Sequence, residues 1–274
     1  MRKLFLIFAF LFLFGISIQA EETSDQQFVD FNIAGYGEGG KKTWTIEGQS
    51  ADIFENVVKL SNIKADVFGQ EEQMVLTAKK GSLDKQSGNM HLEQDVVATT
   101  QTGAKMTTDS LDWQRGTNLV TTPDKVKIEK ENMTAVGTGA EAKLNLNLAK
   151  MEKDVTVNIN TEPKNPQGNI TTITCDGPLN VDYQNEIGVF RNNVVATDAQ
   201  GKIYADMMRI YFDFKAKGIK KIICVGNVKI IKGESTSYSK QAIYSAKDKK
   251  LILIGKPKLI LLTEGANNNA PFGN

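Results

Sequence analysis

A single histidine and two cysteines are the side chains of this chain best suited to metal or nucleophilic chemistry. His91 lies in residues 89–93, on the polar face opposite Met90 and Leu92. That alternation is typical of a half-buried strand, so we interpret His91 as a solvated strand residue and not as a ligand. The sequence has no HExxH, GxSxG or CxxC motif, and its acidic residues are scattered singly. We therefore expect a protein that is not an enzyme, binds no metal and uses no cofactor.

Two glycine-rich stretches approximate nucleotide-binding loops. Residues 137–142 read GxGxxA, but a dinucleotide site requires this turn between a strand and a helix. Residues 143–148 alternate strictly between polar and apolar side chains and predict a strand instead. Residues 35–43 resemble a phosphate loop, yet Lys42 stands where serine or threonine is required. We interpret the first stretch as a glycine turn between strands and dismiss the second.

The two cysteines, Cys175 and Cys224, end the segments 173–175 (ITC) and 222–224 (IIC). In an oxidising compartment such a pair can form a disulfide. Cysteine is also among the most frequently buried residue types and packs as a small apolar side chain. We interpret both primarily as buried apolar residues, and a disulfide between them stays an open alternative.

The N-terminus indicates export from the cytoplasm. Residues 1–3 are Met-Arg-Lys, residues 4–14 are an unbroken apolar run, and a polar chain begins at Glu21. This is the arrangement of a secretory signal peptide with Ala20 before the cleavage site. The uncharged residues 4–20 are also just long enough for a short membrane anchor, so cleavage and retention both stay open. In either case we expect the chain from Glu21 onward to lie outside the cytoplasm.

The charges of the chain are balanced. Its 274 residues include 33 basic and 32 acidic side chains, for a net charge of +1. A protein that binds nucleic acid through its phosphates shows a basic excess or a basic stripe. We therefore exclude nucleic acid as a partner.

Strands at a regular interval dominate the sequence after residue 25. Polar and apolar residues alternate with a period of two, which predicts an all-β fold. A polar residue followed by a β-branched residue recurs at intervals of 30, 29, 39 and 34 residues, and a proline 29 residues after the last of these fits the same slot. The positions are Val96, Val126, Val155, Val194, Val228 and Pro257. Such a period predicts a repeat architecture in which rungs of strands pair edge to edge. An ordinary β-sandwich and a parallel β-helix are the alternatives.

Residues 31–51 (FNIAGYGEGGKKTWTIEGQSA) resemble the opening of the LptC family of lipopolysaccharide-export proteins. Residues 76–81 (LTAKKG) and 136–139 (VGTG) are similar to later parts of that family. Residues 201–206 (GKIYAD), 226–230 (GNVKI) and 242–246 (AIYSA) resemble the related OstA/LptA domain.

The resemblance implies a twisted open β-jellyroll of stacked antiparallel strands, in two consecutive stacks. We expect residues 28–160 to form an LptC-like jellyroll and residues 173–262 to form an OstA/LptA-like jellyroll. The proline-containing residues 161–172 would link them, and we expect residues 263–274 to be a disordered tail.

The resemblance also implies a function: a non-enzymatic periplasmic bridge that shelters the acyl chains of lipopolysaccharide or a related glycolipid between the inner and outer membranes. An inner-membrane ABC-transporter complex would meet the N-terminal edge strand, near residues 28–34. Further bridge units or an outer-membrane receptor would meet the C-terminal edge, near residues 258–262. The alternative is a secreted β-sandwich that is a structural or adhesive module with a fully packed core. A polysaccharide-cleaving enzyme ranks after both.

The alternation selects the side chains that would contact the lipid. We expect the inward-facing, lipid-binding set to include Val96, Ala98, Val126, Ile128, Val155, Val157, Val194, Ala196, Ile210, Phe212, Val228, Ile230, Leu251 and Leu253.

Overall fold

The computed structural model describes residues 24–68, 73–143, 146–160, 170–213 and 218–261. The predicted signal peptide or anchor lies outside these residues, as do most of the predicted linker and all of the predicted tail. Within the described ranges, no helix is both long enough and apolar enough to cross a membrane.

Seventeen strands make up almost all of the described chain. They are β1 (Gln26–Tyr36), β2 (Lys42–Ile53), β3 (Val57–Phe68), β4 (Gln73–Asp84), β5 (Met90–Thr100), β6 (Lys105–Gln114), β7 (Leu119–Lys130), β8 (Met133–Lys143), β9 (Leu148–Asn160), β10 (Ile170–Cys175), β11 (Leu179–Asp182), β12 (Ile187–Asp198), β13 (Gly201–Asp213), β14 (Gly218–Lys232), β15 (Ser235–Ser245), β16 (Lys250–Ile254) and β17 (Lys258–Ile260). Two 3-10 turns, Glu38–Gly40 and Arg115–Thr117, follow β1 and β6.

The strands form one antiparallel sheet in which each strand pairs with the next along the chain. The short strands β10 and β11 share the position between β9 and β12. In the same way β16 and β17 share the last position, beside β15. The all-β jellyroll of antiparallel strands that the sequence predicts is confirmed.

Many of the strands bend near their middle, at a polar residue with positive φ. Asp95, Asp154, Asn193 and Asn227 have φ values of 55°, 55°, 52° and 46°. Asparagine and aspartate adopt this left-handed conformation more readily than other residues with a side chain. Each of the four lies where the strand register shifts, and a bulge of this kind bends a strand. We call these positions the corners.

The corners explain the interval seen in the sequence. The valine that follows each of these four corner residues is at most 1% exposed, so the polar residue turns the chain while the valine packs inward. Val126 of β7 follows a register shift between Thr122 and Lys125 and occupies the equivalent position without a positive φ, so we include it among the corners. With it, successive corners from β5 to β14 are two strand positions apart. The interval near 30 residues is therefore the length of one strand pair with its turns.

The corners fold the sheet into two walls that share a core. One buried cluster joins Val157 and Ile173, on one side of the corner, to Met151, Phe190 and Met208 on the other side. A second cluster, from Phe31 to Leu111, does the same in the first part of the chain. Because the inner side chains of both walls pack together, the sheet encloses a wedge of apolar side chains.

The sheet continues across the two regions that resemble different families. Residues 161–169 lie outside the described ranges, but the next strand, β10, pairs with β9 over the six residues Ile170–Cys175. The larger core cluster includes residues from Val126 to Ala242 and so spans both regions. Among the described residues, the two regions thus share hydrogen bonds and a core.

Two sequence predictions about residues 137–148 are wrong. Residues 137–142 do not form a turn between strands but lie inside β8, where Gly137 faces Val126 and a Cβ would come within 2.3 Å of the Met151 sulfur. Residues 146–147 do not continue a strand but turn the chain into β9, with Asn147 at a φ of 53°. The alternation of asparagine with leucine gave no sign of this turn.

Candidate functional site

A continuous row of apolar side chains crosses the inner face of one wall. Directly paired residues of neighbouring antiparallel strands place their side chains on the same face. The row, which we call the first inner ladder, is Ile33, Ile46, Ala65, Leu76, Ala98, Met106, Ile128, Ala135, Val157, Ile173, Ala196, Ile203, Ile230, Ser237 and Leu259. Fourteen of its fifteen members are apolar, and it runs from β1 to β17.

The other wall carries a matching row, the second inner ladder. Its members are Ile53, Val58, Leu83, Met90, Trp113, Val120, Ala142, Ala149, Val181, Gly188, Ile210, Ile222, Tyr244 and Leu251. The two ladders make an apolar lining that extends over the whole length of the sheet.

The lining is closed at the corners and opens toward the turns. The corner valines, such as Val126 and Val194, are 0% exposed. Farther along the strands the first inner ladder varies. Ile128, Ile203 and Ile230 are only half-buried, whereas Ile46, Val157 and Ile173 are 1% to 3% exposed. The wedge therefore keeps water from its deepest residues while its rim presents apolar side chains to solvent.

The structure brings the predicted lipid-binding residues onto this one lining. Val96, Val126, Val155, Val194 and Val228 lie at the corners, and Ala98, Ile128, Val157, Ala196 and Ile230 belong to the first inner ladder. Ile210 and Leu251 belong to the second inner ladder, and Phe212 and Leu253 pack against the larger core cluster. Leu251 is 44% exposed because, among the described residues, no further strand lies beside β16 to cover it.

Sequence reasoning missed the first part of the lining, from β1 to β4. Phe31 and Ile63 are 8% and 3% exposed, and each follows a corner residue, Asp30 or Asn62, with a φ of 52° or 47°. The same pairing of a polar with an apolar residue, 32 and 33 residues apart, was present in the sequence. It could have extended the repeat back to β1.

Polar groups interrupt the lining near β6 and β7. The hydroxyl oxygens of Thr108 and Thr122 lie 3.1 Å apart and are buried. Nearby in sequence, the buried Trp113 Nε1–H lacks a hydrogen-bond acceptor among the described residues. Met106 packs against both core clusters at this point. The two clusters thus meet at β6 and β7.

The side chains singled out for chemistry lie apart from one another. The His91 Nδ1 is 2.7 Å from Asp112 Oδ1 on the outer face, where the imidazole is 41% exposed. Both cysteines are buried and free, without a disulfide. Burial raises the pKa of the Cys224 thiol to about 12 and also raises that of Cys175, so these thiols remain protonated near neutral pH. Among the described residues, no three His, Cys, Asp or Glu side chains are grouped to hold a metal ion.

Comparison with protein families finds two matches in succession. Residues 6–160 match the model described as "Lipopolysaccharide-assembly, LptC-related". Residues 172–271 match the model described as "LptA/(LptD N-terminal domain) LPS transport protein". Comparison with curated proteins finds no match. The order of the two families is the one that the sequence motifs predict.

Proposed function

We propose a lipid-bridge function on the premise that this chain belongs to the LptC-related lipopolysaccharide-assembly family, followed by a region of the LptA type. In this proposal residues 28–160 and 173–262 are two jellyroll units of one periplasmic bridge. The bridge performs no chemistry on its cargo, lipopolysaccharide or a related glycolipid, and carries it from the inner toward the outer membrane. The observation that carries the proposal is the predominantly apolar inner lining that runs from the first to the last described strand.

The apolar lining would lower the free-energy cost of moving a lipid through water. Each CH₂ group removed from water contributes about 0.8 kcal/mol, so a chain of about a dozen carbons costs about 10 kcal/mol to expose. Acyl chains that lie between the walls avoid this cost at every step, while the polar headgroup stays outside the rim. Admission of a chain requires the walls to part, because the corner side chains contact one another. The driving force then comes from a partner, such as an ATPase complex.

The two ends of the sheet are suited to strand addition by partners. In the described structure β1 pairs on one side only, with β2, and β16 and β17 pair only with β15. Unpaired edges are aggregation hazards unless they are used. In the proposal the β1 edge meets the inner-membrane transporter complex. The β17 edge meets a further bridge unit or an outer-membrane receptor.

Site-specific photo-crosslinking tests the lipid path with neighbouring residues as matched pairs. Ala98 and Ile128 lie on the first inner ladder, whereas Val97 and Lys127 precede them on the outer face. A photoreactive residue introduced at the inner position of each pair, in cells that make lipopolysaccharide, is expected to yield a glycolipid adduct. The outer position should yield little.

Equal adducts at inner and outer positions, or adducts at outer positions alone, would contradict the proposed path. A complete lack of lipid adducts at both inner positions would favour the alternative, a structural β-sandwich whose core is permanently packed.

The C-terminal edge provides a second test. Ile260 pairs with Thr236 of β15 and is 41% exposed. Proline at this position removes a backbone donor from the edge, so Ile260→Pro is expected to abolish capture of the partner at this end. The monomer should stay folded, because β17 is only three residues long. Ile260→Thr, which keeps the N–H and the β-branched shape, should retain the partner, and unchanged pull-down by Ile260→Pro would count against the edge as the contact.

A further inference from the structure

One row of side chains on the outer face changes character along the sheet. From β2 to β11 the row is polar throughout: Asp52, Lys59, Ser82, His91, Asp112, Thr121, Glu141, Lys150 and Asn180. From β14 to β16 it is Ile223, Ile243 and Ile252. The neighbouring row adds Val225 and Ile254 on the same face. We call these five aliphatic residues the outer aliphatic patch.

The outer aliphatic patch remains open to solvent in the described structure. Ile252, Ile254 and Val225 are 44%, 43% and 37% exposed, and Ile223 and Ile243 are half-buried. Their side chains point away from the inner lining, because they alternate with Cys224, Ala242 and Leu253 of the core. Gln241 lies between Val225 and Ile254, and the three isoleucines pair directly with one another. An exposed group of aliphatic side chains of this kind marks an interaction surface.

The same strands hold a strong excess of positive charge. Residues 218–261 contain ten lysines, no arginine and two acidic residues, for a net charge of +8, whereas the whole chain has +1. Among the described residues, only one of these lysines lies within 4.0 Å of a carboxylate. It is Lys220, which is close to both Glu186 and Asp213. Lys221 and Lys250 lie on the outer face in the row next to that of the three isoleucines, where both pair with Ser245.

We propose that the outer aliphatic patch and its lysines dock the C-terminal end of the chain on an anionic bilayer surface. Aliphatic side chains can enter the boundary between headgroups and acyl chains, and lysines attract anionic headgroups. Lysine also suits this position because its stem packs on apolar surface while its ammonium reaches the headgroups. The surface lies on the outer face of β14 to β16, away from the inner lining, so the proposal does not rest on the lipid path.

The composition favours a bilayer over a protein partner. Protein interfaces are enriched in arginine and depleted in lysine, whereas the patch is aliphatic and the charges beside it are mostly lysines. Arg209 and Tyr211 of β13 lie at its border. A second copy of the chain is the strongest protein candidate, because residues 24–68 contain seven acidic residues and four lysines. Residues 24–68 therefore carry a net charge of −3, and residues 218–261 carry +8. Binding of the N-terminal strands of a second copy to the patch is for this reason one outcome that the test distinguishes.

A fluorophore placed on the patch of the full-length chain tests the docking directly. Ile252→Cys carries an environment-sensitive dye, and Ser82→Cys, on the polar part of the same outer row, is the control. The native cysteines are buried and should stay unlabelled. The dye at position 252 is expected to shift to the blue with vesicles of phosphatidylcholine and phosphatidylglycerol, but not with phosphatidylcholine alone. The dye at position 82 should not shift with either.

Removal of single lysine charges beside the patch tests how strongly electrostatic attraction contributes to vesicle binding. Lys221→Gln and Lys250→Gln are each expected to weaken docking about five-fold, since a lysine near an anionic surface contributes about that factor. The lysines lie on the exposed outer face, and a circular dichroism spectrum checks the fold.

Three results would overturn the proposal. The first is the lack of a shift at position 252 with anionic vesicles. The second is an equal shift with neutral vesicles. The third is a shift without vesicles that grows with protein concentration, which would assign the patch to a second copy of the chain.

Discussion

Ile230→Asp is expected to strip bound glycolipid from the chain, whereas Ile231→Asp should leave it in place. The two residues are neighbours on β14 and both are half-buried. Ile230 lies on the first inner ladder between Ile203 and Ser237, and Ile231 lies on the outer face between Lys202 and Thr236. The pair therefore differs in which face of the sheet receives the charge.

The size of the effect follows from desolvation. An aspartate on the inner face must lose water when acyl chains cover it, and an unpaired charge costs several kcal/mol to desolvate. A cost of about 3 kcal/mol corresponds to about a hundred-fold loss of retention. The measurement is the amount of glycolipid per chain that copurifies from a host that makes lipopolysaccharide.

The neighbouring substitution separates a blocked path from a damaged fold. Ile231→Asp introduces the same charge in the same strand, where it faces solvent and Lys202. If both variants lose lipid, the cause is the fold and not the path. If Ile230→Asp retains lipid while its thermal transition is unchanged, the proposed route through the wedge is wrong.

Local sequence signals were sufficient to predict the bends of the strands and the inward-facing side chains of the wedge from β5 onward. A polar residue before Val96, Val155 or Val194 predicts a corner because asparagine and aspartate tolerate the left-handed backbone that a bulge requires. The alternation after each corner then predicts which side chains face inward. These signals are local, and a single strand with one buried face contains them.

The parts that the sequence did not predict depend on pairing between strands. Leu251 alternates like its inward neighbours, yet it is 44% exposed because β16 and β17 are the last strands of the part of the chain that the structure describes. The outer aliphatic patch was equally hidden, since Ile223 and Ile243 become neighbours only through the register of β14 with β15. Register across a bulge is a property of two strands and cannot be derived from either one alone.

Gly177→Ala is expected to lower the stability of the chain more than alanine at any freely exposed glycine. Gly177 lies between β10 and β11 with a φ of 103°. Its carbonyl accepts a hydrogen bond of 2.7 Å from the Asn192 side chain. A Cβ at this position would lie 2.2 Å from the Glu152 carbonyl oxygen and 2.7 Å from the Lys153 Cα. These atoms belong to the backbone of β9, so no side-chain rotation can relieve the contact.

Gly233 is the matched control because it isolates backbone strain from contact. Its φ is 57°, and a Cβ there would have no neighbour within 4 Å. Gly233→Ala should therefore cost only the strain of a left-handed alanine, about 1 kcal/mol. Gly177→Ala imposes a backbone strain at least as large as that of Gly233→Ala, and it must also displace β9. Together these effects should lower the free energy of unfolding by about 4 kcal/mol.

The difference of about 3 kcal/mol between the two variants should appear as a thermal midpoint about 10 °C lower for Gly177→Ala than for Gly233→Ala. Calorimetry of the two full-length variants measures it. Equal midpoints would mean that β9 moves aside without cost. The continuous packing of β9 with β10 and β11, on which the unbroken lining between the two family regions depends, would then be looser than the structure shows.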